Sequence, residues 1–241
     1  MTARNPTDAY LTPACAALAL RAWLRRRAPE ALLGGHWCDV FAGAGTLLEW
    51  AVGSLVHPDI GLELLVPRSR LHADEADPRW RDELLARFNE RQVRTRDSFG
   101  AARWDVCAGL VVPHIVTNPP YVRTPEAIVR LAQHARAHRR WCAALLRTDW
   151  WQHPDRHLWR PDHFLLLEWR PAFGFRTEKG SGKVVLSTDR YTGYVWAVWS
   201  PVETGRCELE FLERPSVPEA LRLEHRRVAR LAFDYAASEV A

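Results

Sequence analysis

Apolar and polar positions follow two rhythms along this chain. Residues 13–27 carry Ala and Leu at helical spacing, with Pro13 suited to a first turn and Thr12 placed to cap it. Gly34 and Gly35 break that run, and 36–42 predicts a first strand that closes on Phe41-Ala42-Gly43-Ala44-Gly45. Residues 46–52 predict a short helix and the apolar run 60–65 a second strand. Trp80, Leu84, Leu85 and Phe88 sit at helical spacing within 78–90. A third strand is predicted over 93–97 and a fourth within 110–117, stopping at Asn118-Pro119-Pro120-Tyr121. A helix over 125–138 puts Ile128, Leu131 and Ala135 on one face, and 143–146, 164–169 and 194–199 predict three more strands. A last strand-like run, 207–212, precedes a terminal helix over about 218–237. Seven buried strands joined by crossover helices predict one doubly wound α/β domain with helices on both faces.

Composition narrows the class without deciding it. The 241 residues are 47% hydrophobic and 26% charged, which excludes a coiled coil, a collagen, a disulfide mini-protein and a mostly disordered chain. No apolar run reaches the roughly 20 residues of a membrane span. Nothing near the start resembles a signal peptide, since Arg21, Arg25, Arg26 and Arg27 interrupt or follow the most apolar early stretch. The five cysteines, Cys15, Cys38, Cys107, Cys142 and Cys207, form no C-x-x-C pair, so zinc is not expected and free thiols in a reducing cytoplasm are. His36, His114, His153 and His157 show no metal-binding spacing either; Pro154 interrupts the last pair. The formal charge of +4 permits a polyanionic partner without requiring one. Lys179 and Lys183 are the only lysines among 33 basic residues, and codon bias accounts for that skew.

In an open α/β sheet, ligands bind beyond the carboxyl ends of the strands, where two unusual loops fall. In Asp39-Val40-Phe41-Ala42-Gly43-Ala44-Gly45, two glycines one residue apart allow a tight turn with a ligand lying against the backbone. Leu48 stands where a dinucleotide fingerprint needs its third glycine, which argues against a nicotinamide or flavin enzyme. Glu63, eighteen residues after Gly45, is a candidate acceptor for ribose hydroxyls, and Asp97 for an adenine amino group. In Asn118-Pro119-Pro120-Tyr121, consecutive prolines force the chain out of the sheet along a fixed extended path. That path aims the Asn118 amide oxygen and the Pro119 carbonyl one way, a paired acceptor for an amino group, with the Tyr121 ring available for stacking.

These residues resemble the S-adenosylmethionine-dependent amino-methyltransferases of nucleic acids. In that family Asn-Pro-Pro-Tyr is the catalytic loop and Phe-x-Gly-x-Gly binds the cofactor. Tyr10-Leu11-Thr12-Pro13 is similar to the family segment that contacts the methionine portion. The order of the three segments, and the closing strand Val195-Trp196-Ala197-Val198-Trp199, are similar to small phage and prophage adenine-N6 DNA methyltransferases. The resemblance implies a Rossmann-like methyltransferase sheet and catalytic residues Asn118, Pro119, Pro120 and Tyr121. It implies a cofactor site of Tyr10, Thr12, Pro13, Asp39, Phe41, Gly43, Gly45, Glu63 and Asp97, with no metal. It further implies a flipped-out target base held by Tyr121.

The catalytic domain is expected over 1–200, with 201–241 packed on it as a strand and helix and no separate large recognition domain. A homodimer or a partner subunit for target recognition is left open. Arg176, Lys179, Lys183 and Arg190, in a glycine-rich connection over 172–193, are candidate phosphate contacts to DNA, with RNA the alternative. Methylation of an RNA base, of cytosine N4 or of a glutamine amide uses the same chemistry. A non-catalytic subunit that binds the cofactor is the rival of a different class.

Overall fold

The structure, a computed structural model, describes residues 11–57, 61–63, 65–101, 104–107, 109–152, 159–169, 171–177, 184–188 and 193–238. Among them, in chain order, are α1 (Ala14–Arg27), α2 (Pro29–Gly34), β1 (Trp37–Asp39), α3 (Thr46–Ala51), β2 (Leu55–His57) and β3 (Gly61–Glu63). Next come β4 (Leu71–Glu75), α4 (Arg81–Arg87), β5 (Val93–Thr95), β6 (His114–Thr117), α5 (Thr124–His138) and β7 (Cys142–Arg147). The chain continues through β8 (His163–Leu167), β9 (Ala172–Thr177), β10 (Val184–Thr188), β11 (Tyr194–Trp199), β12 (Glu208–Leu212) and α6 (Glu219–Ser238). None of the described helices is long and apolar enough to cross a membrane.

Eight strands form one mixed sheet in the order β12-β8-β11-β7-β6-β1-β4-β5. From β5 to β7 all neighbours are parallel. β11 runs antiparallel to both β7 and β8, and β12 pairs parallel with β8. Alternate residues of each strand feed two cores. One core takes Trp37, Ala73, Val116, Leu145, Leu165 and Trp196 against α1, α2, α3, α4 and α6. The other takes Cys38, Ile115, Ala144, Phe164 and Ala197 against α5, Trp104, Val106 and Trp159. Among the described residues, helices thus cover both faces, five on one and a single one on the other. The expected doubly wound sheet of seven strands is corrected to an unequally covered mixed sheet of eight. Trp23, Trp37, Trp196 and Trp199 are wholly buried, and each indole N–H finds an acceptor: Glu210 Oε1 and the carbonyls of Ala31, Ala16 and Trp159.

Two strand assignments change. The run 60–65, expected as the second strand, instead holds β3, which pairs antiparallel with β2 in a separate two-stranded sheet. The strand beside β1 is β4, Leu71-His72-Ala73-Asp74-Glu75. Its polar residues hide it from a hydrophobicity pattern, yet it is buried because each finds a partner. Asp74 is wholly buried and takes Arg94 Nε at 2.6 Å and Arg96 Nη2 at 2.7 Å, while His72 Nε2 lies 2.9 Å from His36 Nδ1. The connection expected over 172–193 contains the β9–β10 hairpin, where Arg176 sits opposite Val185.

Candidate active site

Three strand ends converge on one cavity of about 920 Å³, within the range of small-molecule sites. β1 delivers Asp39, after which the chain turns back through Gly43 (φ +50°) and Gly45 (φ +78°) into α3. The turn is closed by Gly45 N donating to Ala42 O at 2.8 Å and tied to β4 by Ala42 N donating to Asp74 O at 3.0 Å. Gly43 N donates to Glu75 Oε2 at 2.6 Å, and Asp77 N to Glu75 Oε1 at 2.9 Å. β6 delivers Asn118, and Thr117 Oγ1 donates to Asp39 Oδ1 at 2.7 Å across the gap between the strand ends. Thr12, Asp39, Phe41, Gly43, Asp97, Asn118 and Pro120 all line the cavity, so both signature loops open onto one space.

Several other expectations change. Thr12 does not cap α1. Pro13 is its N-cap, and the buried Thr12 Oγ1 has no hydrogen-bond partner among the described residues. A Cβ on Gly45 would lie 2.6 Å from Phe88 Cε2 and 2.9 Å from Leu84 Cδ2, so that glycine lets α4 pack against the loop. Glu63 ends β3, outside the main sheet, and Glu75 occupies the strand-end position assigned to it. Pro119 is buried, and Tyr121 is half-buried with its ring against the core on the five-helix side. Tyr10, Lys179, Lys183 and Arg190 lie outside the described residues, as do the side chains of Glu63 and Arg176. Trp141 and Trp159 are buried in the core.

Phe99 and Arg123 also line the cavity and were not singled out in the sequence. The Phe41 and Phe99 rings lie 4.7 Å apart, and Arg123 Cζ sits 3.5 Å above the Phe99 ring. Arg123 Nη1 lies 3.5 Å from Asp97 Oδ2. Arg130 holds this loop by donating to the carbonyls of Ser98 and Phe99, each at 2.7 Å, and of Ala101. The signals for these residues were an aromatic two positions after Asp97 and an arginine five after Asn118, patterns too common to stand out.

The carboxylates respond to their setting. Burial raises Asp39 to about 7, against the hydrogen bonds from Thr117 and Phe41 N, with Glu75 and Asp74 adding repulsion. Burial likewise raises Glu75, opposed by its backbone N–H bonds. Asn118 Oδ1 is shielded from solvent, so presenting it to a bound amino group takes a rotation of the terminal amide.

No family model matches the sequence, and no curated protein matches it. Among solved structures, a modification subunit of a putative type I restriction enzyme from Vibrio vulnificus YJ016 is 13% identical, with a TM-score of 0.44 over 89% of this chain. This chain spans 48% of that protein's length. A precorrin-6y C5,15-methyltransferase from Geobacter metallireducens GS-15 is 15% identical, with a TM-score of 0.40 over 75% of this chain and 87% of its own. A SAM-dependent O-methyltransferase from Thermotoga maritima is 13% identical, with a TM-score of 0.37 over 75% of this chain and 64% of its own. Likeness at this level says nothing of activity, which rests on the residues of the cavity.

Proposed function

We propose that this protein transfers a methyl group from S-adenosylmethionine to the exocyclic amino group of a flipped-out base, adenine N6 in DNA. One observation carries the reading: the Gly43 turn and the Asn118 bend line the same cavity, with Asp39, Glu75 and Asp97 around it. The residues present fit the cofactor. The buried Thr12 Oγ1 has no hydrogen-bond partner among the described residues, and Thr12 lines the cavity, ready to bond a polar ligand. Two carboxylates, the buried Asp39 and the half-buried Glu75, suit a ligand bearing positive charge and hydroxyl donors. Phe41 and Phe99 provide apolar ring surface, and Asp97 an exposed acceptor.

When bound, S-adenosylmethionine supplies an electrophilic sulfonium methyl. The chain's own part is to position and polarise the acceptor. An exocyclic amino nitrogen conjugated to its ring is a poor nucleophile. Asn118 Oδ1 and the Pro119 carbonyl accept its two hydrogens, draw it towards tetrahedral geometry and restore its lone pair. The prolines fix the backbone that carries both acceptors, and once the Asn118 amide has turned the rate comes from orientation and electrostatics. Tyr121, half-buried beside the bend, is the residue this reading assigns to stack on the flipped base, offsetting the few kcal/mol that unstacking costs. Residues 1–200 form the catalytic unit in this reading, and β12 and α6 extend it.

Titration calorimetry with S-adenosylmethionine, followed by labelled-methyl transfer to DNA and RNA and mass analysis of the nucleosides, tests the proposal. N6-methyladenine from DNA is the expected product. N4-methylcytosine or a methylated RNA base would keep the chemistry and change the substrate. Binding without transfer to any nucleic acid would instead favour a non-catalytic subunit.

A further inference from the structure

At the opposite ends of the same strands lies a second group of reactive side chains. His36 immediately precedes β1, and His72 is the second residue of β4. The turn after Val106 brings Cys107 to them from a third segment, as Val106 and Val111 bridge and Leu110 N donates to Cys107 O. His36 Nδ1 lies 2.9 Å from His72 Nε2 and 4.0 Å from Cys107 Sγ, and the three ligand atoms all lie within 4.8 Å of one another. The two imidazoles stack, centroids 5.2 Å apart at 25°. Cys107 holds a left-handed conformation, φ +53°, which a β-carbon disfavours and which aligns its thiol with the pair. Sequence spacing gave no sign of this group, because its members are separated by 36 and 35 residues and meet through the parallel pairing of β1 with β4 and the turn after Val106.

We propose that His36, His72 and Cys107 form a binding site for a borderline-soft divalent cation, Zn²⁺, with solvent as the fourth ligand. Bonds of about 2.0–2.1 Å to nitrogen and 2.3 Å to sulfur put tetrahedral ligand atoms roughly 3.3–3.8 Å apart. The observed separations bracket that range, so shifts of about an ångström close the site. His72 is buried, His36 half-buried and Cys107 exposed, which leaves one side open for entry. The donor set, two imidazoles and a thiolate, suits zinc and disfavours Mg²⁺ or Ca²⁺. His36 and His72 each stand three residues before the cavity's Asp39 and Glu75, a distance of roughly 10 Å along a strand. The ion therefore pins the 106–111 turn to the sheet and takes no part in transfer, and the site stands whether or not the methyltransferase reading does.

Chelator-stripped full-length protein, kept reduced with a phosphine, should bind one equivalent of Co²⁺. The spectrum should show a thiolate-to-cobalt charge-transfer band and tetrahedral-intensity d–d bands, both bleached by stoichiometric Zn²⁺. Zn²⁺ alone should also raise the thermal midpoint. Because Cys107 is exposed, Cys107→Ser should fold, lose the charge-transfer band and bind Zn²⁺ at least about tenfold more weakly. His36→Gln should lower affinity similarly, and Cys15→Ser should leave it unchanged. Absence of the band in the wild type, or its survival in Cys107→Ser, would overturn the assignment.

Discussion

Glu75 accepts the backbone amide of Gly43 at 2.6 Å, binding the glycine turn after β1 to the end of β4. Its other oxygen accepts from Asp77 N at 2.9 Å, so a single carboxylate shapes two loops of the cavity. Replacing it removes charge-assisted hydrogen bonds of about 1.5–3 kcal/mol each. Glu75→Ala should weaken S-adenosylmethionine binding by roughly 10- to 100-fold in titration calorimetry. Glu63→Ala, in the small β2–β3 sheet, should leave it within about twofold. A reversed order would restore Glu63 to the role its spacing suggested.

The positions of Glu63, in the small β2–β3 sheet, and Glu75, at the end of β4 beside β1, show what the sequence disclosed and what it hid. Strands whose alternate positions are apolar, such as β6, β7 and β11, stood out by pattern, as did α1, α5 and α6. β4 did not, because His72, Asp74 and Glu75 read as surface until Arg94, Arg96, His36 and Gly43 are seen to satisfy them. A buried polar strand depends on partners distant in sequence, so local periodicity misses it. The two loops around Gly43 and Asn118 were legible because glycine and proline constrain the backbone wherever they occur. Phe99 and Arg123 were not, since a lone aromatic and a lone arginine become a ring stack only once their loops meet.

Asp39 couples the cavity to pH. Burial raises its carboxyl from 3.8 to about 7, so the folded protein holds a proton that the unfolded chain releases between those values. Ligand-free stability should therefore fall as pH rises through that window. A cationic ligand favours the ionised carboxylate, so S-adenosylmethionine affinity should rise with pH below 7, by up to about tenfold per unit, and level off above it. Calorimetry in buffers of differing ionisation enthalpy should detect proton release at pH 6. Asp39→Asn should flatten the profile; an unchanged profile would assign the dependence to Glu75, which is also raised.

Arg87 fastens the terminal helix to the glycine turn. Its Nε donates to the Ala44 carbonyl at 2.8 Å, Nη1 lies 3.1 Å from Glu49 Oε2, and Nη2 meets Glu224 on α6. The side chain is only 12% exposed, so Arg87→Ala strands acceptors and carboxylates, and the loss should be about 3 kcal/mol by urea denaturation. Arg230→Ala, whose partner Asp234 is half-exposed, should cost under about 0.5 kcal/mol. Glu224 is lowered to about 2, first by its hydrogen bond from Arg227, then by Arg87, against desolvation. Its contribution is complete above 4.5 and should fade as pH falls towards 2.

The two glycines of the turn should separate by phenotype. A Cβ on Gly43 would meet only Leu11 Cδ2, at 3.4 Å, while one on Gly45 would press into Phe88 and Leu84. Both residues hold positive φ. Gly43→Ala should fold with a loss of about 1 kcal/mol and bind S-adenosylmethionine more weakly. Gly45→Ala adds overpacking of about 1–3 kcal/mol and should show itself first as a lowered denaturation midpoint. Equal midpoints for the two variants would contradict the packing role given to Gly45.

Asn118 lines the cavity, while Glu75, Asp74 and Arg87 supply bonds that shape the glycine turn. Binding and transfer should therefore part at this residue. In Asn118→Ala, the affinity for S-adenosylmethionine should stay within a few-fold, because the cofactor-side carboxylates are untouched. Methyl transfer should fall by a factor on the order of 10² or more, since one of two groups acting on the amino nitrogen is gone. Asn118→Asp should recover part of the rate, as a carboxylate still accepts the hydrogens, whereas a role in packing alone would predict no difference between Ala and Asp. Near-normal turnover in Asn118→Ala, measured with labelled cofactor and saturating DNA, would remove this residue from the chemistry.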